Sequence, residues 1–227
     1  MKILVLTAIF GGKDTPKPFP KQSIDCDYKC ITEQNTPVPL PNLPDRLKAK
    51  YFKLQAHEAF PEYNYFIWID GNIEVTSADF VKDIIKKLYP DSGRIIIQQH
   101  HERQTIKQEI DFILNSENPY LTTRYKEQPL KQEYEYYLSK GMPPTAPLFA
   151  CNIFAYYCKT TLDLDFSTLF MDRWWSLVLK WSWFDQSAFS YLSWIISKIP
   201  GTTKIVDFGP MLDNPYFKLH SHAQPFG

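Results

Sequence analysis

Two patterns of apolar residues alternate along this chain. Short unbroken apolar runs end abruptly in polar or glycine residues, and longer stretches carry an apolar residue every third or fourth position. The first pattern predicts strands over residues 2–7, 28–32, 64–70, 94–98 and 148–156, with a short one at 204–206. The second predicts helices. One covers about 46–58, capped by Asp45 and closed near Pro61, and another runs from Ser77 or Asp79 to Leu88 with Phe80, Val81, Ile84, Ile85 and Leu88 toward a sheet. Further helices are expected over 104–115, over a long polar stretch at 119–139 that Pro143 and Pro144 end, and over 167–180 and 185–197. Strands alternating with helices predict a single α/β domain over residues 1–227, with a central, mostly parallel sheet flanked by helices.

The run Tyr65-Phe66-Ile67-Trp68-Ile69 ends in Asp70-Gly71-Asn72, so a buried strand delivers a carboxylate and an amide to a sheet edge. Ligands of open α/β sheets bind at the carboxyl ends of strands, which puts Asp70 and Asn72 at a crevice mouth. After the first strand, Phe10-Gly11-Gly12-Lys13-Asp14 offers two glycines that let the backbone turn or approach a ligand. Proline-rich segments at 16–20 and 37–44 are expected to wrap the site. Arg46, Lys50 and Lys53 stand four and three residues apart, on one face of a helix, and form the best local cationic patch. Asp185-Gln186 opens a helix after an aromatic run. Asp185 is either a helix cap or a general base, with Gln186 beside it.

Charge and composition narrow the classes. With 25 Lys+Arg against 25 Asp+Glu, no broad attraction to nucleic acid or anionic lipid is built in, so any anion site is local. The apolar start is short for a signal peptide, and Lys180, Asp185 and Gln186 interrupt the most apolar later region, so neither a leader nor a membrane span is expected. Cys26, Cys30, Cys151 and Cys158 are expected as thiols in a cytoplasmic protein, with shared zinc as the alternative. Aromatics make up 16% of residues; most fill a core, and one or two of Trp174, Trp175, Trp181 and Trp183 are candidates for an acceptor groove.

Asp70-x-Asn72 resembles the Asp-x-Asp signature of nucleotide-sugar glycosyltransferases with the GT-A fold. The loop at 10–14, Arg46-x3-Lys50-x2-Lys53, Ile67-Trp68-Ile69-Asp70-Gly71-Asn72, His100-x2-Arg103 with Glu109, and Asp185-Gln186 together resemble the glycosyltransferase-like domain proteins of plants, bacteria and large viruses. His101 replaces an expected proline, and Phe184 replaces a basic residue common before Asp-Gln. The resemblance implies a GT-A-like domain that transfers a sugar from a nucleotide-diphosphate sugar to a glycan or glycoconjugate hydroxyl. Phe10, Gly11, Asp14, Arg46, Lys50, Lys53, Asp70, Gly71, His100, Arg103, Glu109 and Asn152 would contact the donor, and Asp185 and Gln186 would serve catalysis. It also implies Mn²⁺ or Mg²⁺ on Asp70 and Asn72, completed by His220 or His222, where an imidazole suits Mn²⁺. Two other classes compete. A phosphohydrolase would use Asp70 as nucleophile, but Ile73-Glu74 follows Asn72 where a threonine is wanted, and the motif is not on the first strand. A non-catalytic carbohydrate-binding domain would use the aromatics alone.

Overall fold

The computed structural model describes residues 1–40, 42–88, 95–158, 166–199, 205–210 and 212–222. Pro41, Arg94 and Lys204, which fall in an expected loop and at two expected strand starts, lie outside the described residues. In chain order the elements are β1 (Ile3–Ala8), β2 (Asp27–Ile31), α1 (Asp45–Leu54), α2 (Ala56–Ala59), β3 (Tyr65–Ile69), β4 (Ile73–Val75), α3 (Phe80–Leu88) and β5 (Ile95–Gln99). They continue with α4 (Ile106–Leu114), α5 (Pro119–Arg124), α6 (Leu130–Ser139), β6 (Phe149–Tyr157), α7 (Phe166–Lys180), α8 (Asp185–Ser197), β7 (Ile205–Asp207) and β8 (Phe217–Leu219).

Six strands form the central sheet in the order β2-β1-β3-β6-β5-β7. All run the same way except β6, which is antiparallel to both β3 and β5, so the sheet is mostly parallel as expected. Both faces are covered, which is why the strands are continuous apolar runs rather than alternating ones. Period-two geometry then divides each strand. Leu4, Leu6, Phe66, Trp68, Phe154 and Tyr156 enter a core with α1, α7 and α8. Ile3, Val5, Tyr65, Ile67, Ile69 and Ile153 enter the opposite core with α3.

Several expected boundaries shift for identifiable reasons. Helix 46–58 breaks at Gln55, whose buried amide donates to the carbonyls of Leu54 and Met171 at 3.0 and 3.4 Å. Asp45 is not the cap. Pro44 holds that position without a side-chain bond, and Asp45 sits in the first turn, paired with Lys48 at 2.7 Å. The stretch 119–139 splits into α5 and α6 because Glu127 takes a left-handed φ of 65° and Pro129 cannot sit inside a helix. No disulfide forms among the described residues. Shared zinc is ruled out by topology: Cys30 lies on β2 and Cys151 on β6, three strand spacings apart, or about 14 Å.

A small antiparallel pair, β4 with β8, was not expected, and it matters most for the site. It pairs Ile73 with Leu219 and carries the chain from β8 back beside the end of β3. The loop after β1 is pressed against the same place. Gly11 and Gly12 adopt φ of 67° and 61°, the left-handed region that favours glycine. Gly71 is required for space: a Cβ there would lie 2.9 Å from Ile9 Cγ1 and 3.3 Å from Asp14 Cβ. Gly71→Ala should therefore push the 9–14 loop away from β3 and cost about 1–3 kcal/mol, as overpacking does. Denaturant melts check this, and a variant as stable as the parent would show that the loop yields freely.

Candidate active site

The carboxyl ends of β1, β3 and β5 and the first half of β6 floor one cleft of about 470 Å³, within the range of roughly 300–1,000 Å³ usual for small-molecule sites. Every residue expected for donor, metal or catalysis lines it except Arg103 and His220. Phe10, Gly11 and Asp14 come from the loop after β1, and Asp70, Gly71 and Asn72 from the end of β3. Arg46, Lys50 and Lys53 come from one face of α1, His100 and Glu109 from around α4, Asn152 from β6, Asp185 and Gln186 from the start of α8, and His222 from beyond β8.

The floor is an ion network. Lys50 Nζ lies 2.7 Å and Lys53 Nζ 2.9 Å from the same Asp185 oxygen, Oδ2. Lys53 also reaches Asp70 Oδ1 at 3.2 Å, and the Trp68 indole N–H donates to that oxygen at 2.6 Å. Burial would raise the Asp185 pKa, but Lys50 and then Lys53 outweigh it and hold the carboxyl well below the usual range. Burial opposes the Lys53 charge too, yet Asp185 and then Asp70 hold it above an ordinary lysine. For Lys50 burial wins over Asp185 and brings the pKa down to about 8.

Two ammonium groups on one oxygen keep the Asp185 carboxylate ionised, a geometry that fits an electrostatic anchor. Asp185 is not a side-chain cap, since Phe184 holds the cap position of α8 and no side-chain cap bond forms. Glu109 is the second carboxyl expected to act in the cleft, and it is held differently. Burial raises its carboxyl above the usual range, against the opposing pull of Arg103, whose Nε bonds Oε2. Arg103 contacts Glu109 and does not line the cleft. His100 accepts the backbone N–H groups of Glu102 and Arg103 on Nδ1, at 3.2 and 3.1 Å, which assigns the ring proton to Nε2. Burial, then Arg103 and His101, brings its pKa down to about 4, so the ring is a neutral donor near pH 7. Asn152 holds both side-chain polar atoms buried without a hydrogen-bond partner among the described residues, on the cleft wall.

The residues at the end of β3 suit a divalent cation. His220 stands outside the cleft lining, with its Nε2 paired to Glu74 at 2.7 Å. His222 does line it, with Nδ1 3.0 Å from both oxygens of Asp14. A carboxylate on one ring nitrogen fixes the tautomer and leaves the other as a ligand, the usual outer-sphere arrangement around a metal-bound histidine. Asp70, Asn72 and His222 thus supply carboxylate, amide oxygen and imidazole in one cleft. Among the described residues, a compact cluster of three acidic or histidine ligands occurs only at His57, Glu58 and Asp172, away from the cleft.

Several cleft residues were not anticipated: Lys13, Arg124, Tyr125 and Cys151. Lys13 occupied the unspecified place in the glycine loop, and Arg124 and Tyr125 were absorbed into a helix that ends at that point. The expected aromatic groove is not formed by Trp174, Trp175, Trp181 or Trp183. None lines the cleft, and the fully buried Trp174 instead donates to the Asp185 carbonyl at 2.9 Å.

A sequence model described as TOD1/MUCI70, glycosyltransferase-like domain, matches residues 38–208. No curated protein sequence matches the chain. Among solved structures, a glycosyltransferase involved in the glycosylation of the major capsid of PBCV-1 is similar at 15% identity, over 90% of this chain and 81% of that one, with a TM-score of 0.42. Mouse xyloside xylosyltransferase 1 in its apo form is similar at 9% identity, over 91% of this chain and 86% of that one, with a TM-score of 0.46. Both are too distant for either enzyme's activity to be carried over.

Asp185→Asn should leave two buried ammonium groups undercompensated and cost about 3–5 kcal/mol, more than the roughly 1 kcal/mol of a lost cap. Adding Lys50→Met should restore part of that loss. The depressed carboxyl stabilises the fold above the ordinary carboxylate pKa and loses that effect as pH falls through its folded value, so the variant's stability should also vary less below about pH 4. Chemical denaturation across pH measures both effects; a cost near 1 kcal/mol with no rescue would contradict the anchor role.

Proposed function

This chain belongs to the TOD1/MUCI70 glycosyltransferase-like domain family, and we propose that it is a single-domain enzyme moving a sugar from a nucleotide-diphosphate sugar to a hydroxyl of a glycan or glycoconjugate. The observation that carries this reading is the convergence of Asp70, Asn72, the α1 cations and Asp185-Gln186 on one cleft at the strand ends. The expected donor contacts and the unpartnered amide of Asn152 support it, since a ribose or sugar hydroxyl would satisfy a buried amide that the protein leaves unmet.

The reaction needs stabilisation of the departing diphosphate, a positioned acceptor and a proton acceptor. Asp70, Asn72 and His222 would hold Mn²⁺ or Mg²⁺, and the chemistry such an ion supplies is neutralisation of charge on the departing group. Asp14 would orient His222. The neutral His100 N–H is a donor for a sugar hydroxyl, and Gln186, beside the anchored Asp185, would orient the sugar. Glu109 would take the proton from the attacking hydroxyl, held in place by Arg103. Among the described residues no helix is long and apolar enough to cross a membrane. Cysteines without disulfides suit a reducing compartment, so a cytoplasmic location is part of the proposal.

Turnover of a panel of nucleotide sugars, read as release of nucleoside diphosphate with a glycan acceptor, tests the reading; hydrolysis of generic phosphate esters without sugar transfer would replace it with a phosphohydrolase. Asp70→Ala should abolish transfer and remove the Mn²⁺-dependent part of nucleoside diphosphate binding in calorimetry. Unchanged titration curves in the variant would contradict the metal role. Glu109→Gln should lower the rate about 10²–10⁴-fold at saturating substrates while donor affinity holds. Normal turnover by a folded Glu109→Gln enzyme would remove Glu109 as the base.

A further inference from the structure

The charged groups of the cleft fall into two sets with different balance. The inner set is neutral: Lys50 and Lys53 are matched by Asp185 and Asp70 through contacts of 2.7, 2.9 and 3.2 Å. The outer set is Lys13, Arg46 and Arg124, and none of these forms an ion pair among the described residues. Aromatic faces, a carbonyl and the Tyr120 hydroxyl, which accepts from Arg124 Nη1, hold them instead. Lys13 Nζ lies 5.5 Å from the centre of the Tyr120 ring, and the Arg124 guanidinium lies 5.4 Å from the rings of both Tyr120 and Tyr125. Arg46 stacks 5.3 Å over Trp183 and donates to the Arg124 carbonyl at 3.1 Å.

Three cations arranged this way repel one another. Burial, then Arg46 and Arg124, brings Lys13 down to about 8, and burial, then Arg124, lowers Arg46. Arg124 Nε is buried without a hydrogen-bond partner among the described residues. Asp14, the carboxylate next to Lys13 in the chain, has both oxygens at 3.0 Å from His222. Beyond the one N–H that Arg124 gives to Tyr120 and the one that Arg46 gives to the Arg124 carbonyl, these cations keep donors for another acceptor, and guanidinium groups match phosphate oxygens in geometry.

We propose that Lys13, Arg46 and Arg124 seat the phosphates of the donor, and that Lys50 and Lys53, the cations singled out by the sequence, are internal counter-ions that fix Asp185 and Asp70. This assignment rests on the nucleotide-sugar reading of the cleft. It moves the diphosphate toward the loop after β1 and the end of α5, and it makes α5 part of donor recognition. The inner lysines keep the carboxylates charged and in place, while the outer cations meet the ligand.

Calorimetric titration in the presence of EDTA tests it, with inorganic pyrophosphate and the uridine, guanosine and adenosine diphosphates as ligands. Lys13→Gln and Arg124→Gln should each weaken the best-binding nucleoside diphosphate and pyrophosphate about 10- to 100-fold, the range of a lost charge-assisted hydrogen bond. Lys107→Gln, which breaks an exposed pair with Asp111 on α4, should change neither. Lys13 is only half-buried, so its variant keeps the test open if Arg124→Gln fails to fold. Parental affinity in a folded Lys13→Gln protein, with nucleoside diphosphate bound, would overturn the seat and leave the nucleotide-sugar reading standing. Pyrophosphate binding that falls in both variants, with no nucleoside diphosphate bound more tightly than pyrophosphate, would support the seat and overturn the nucleotide reading. No binding of any of these ligands to the parent would overturn both.

Discussion

One carboxylate oxygen, Asp185 Oδ2, is shared by two buried ammonium groups, and the cleft depends on that contact. It joins the start of α8 to α1, and Lys53 extends the link to Asp70 at the end of β3. Lys50, Lys53 and Asp185 are buried and Asp70 is partly open to the cleft; the four charges balance, and removal of Asp185 would leave two buried ammonium groups undercompensated. Trp174 secures the same point from below through the Asp185 carbonyl. Beneath lies another polar contact, buried Glu133, which accepts the Tyr137 hydroxyl at 2.8 Å and the Ser182 hydroxyl, and which burial pushes up to about 7. The aromatic richness of the chain thus serves largely to pack and hydrogen-bond the support of this floor, rather than to present a sugar platform.

Around that fixed floor the ligand-facing groups come from segments that the fold returns to one edge. The tight loop after β1 reaches the end of β3 because residue 71 has no side chain. Pairing of β8 with β4 brings His222 to the same edge from the far end of the chain. α5 carries Arg124 and Tyr120 to the same place, where Tyr120 lies beside both Lys13 and the His222 ring, the latter at 6.0 Å. Loop, helix and returning strand therefore meet over the cleft, consistent with a donor enclosed by several short segments.

Much of this was legible in the chain because it depends on local pattern. The five main apolar runs became strands, and the spacing of Arg46, Lys50 and Lys53 placed them on one wall of the cleft. What a helical repeat cannot tell is which cations already have partners. Lys50 and Lys53 look like a phosphate patch in sequence, and only their approach to Asp185, more than a hundred residues later, shows that their charge is spent internally. The reversed direction of β6 and the β4–β8 pair were equally hidden, since pairing partners are not written in a strand's own composition. Lys13 and Arg124 escaped notice for a simpler reason: each sits in a segment whose backbone, a left-handed glycine turn and a helix cut short before Pro129, breaks the periodicity used to judge faces.

A crystal structure of the protein soaked with its best-binding nucleoside diphosphate tests the central claim most directly. The account predicts the ligand in the cleft at the ends of β1 and β3, with phosphate oxygens within hydrogen-bond distance of Lys13, Arg46 and Arg124, and with the Lys50–Asp185–Lys53 contacts intact. Nucleotide density outside this cleft, or phosphates seated on Lys50 and Lys53 with Asp185 displaced, would contradict it.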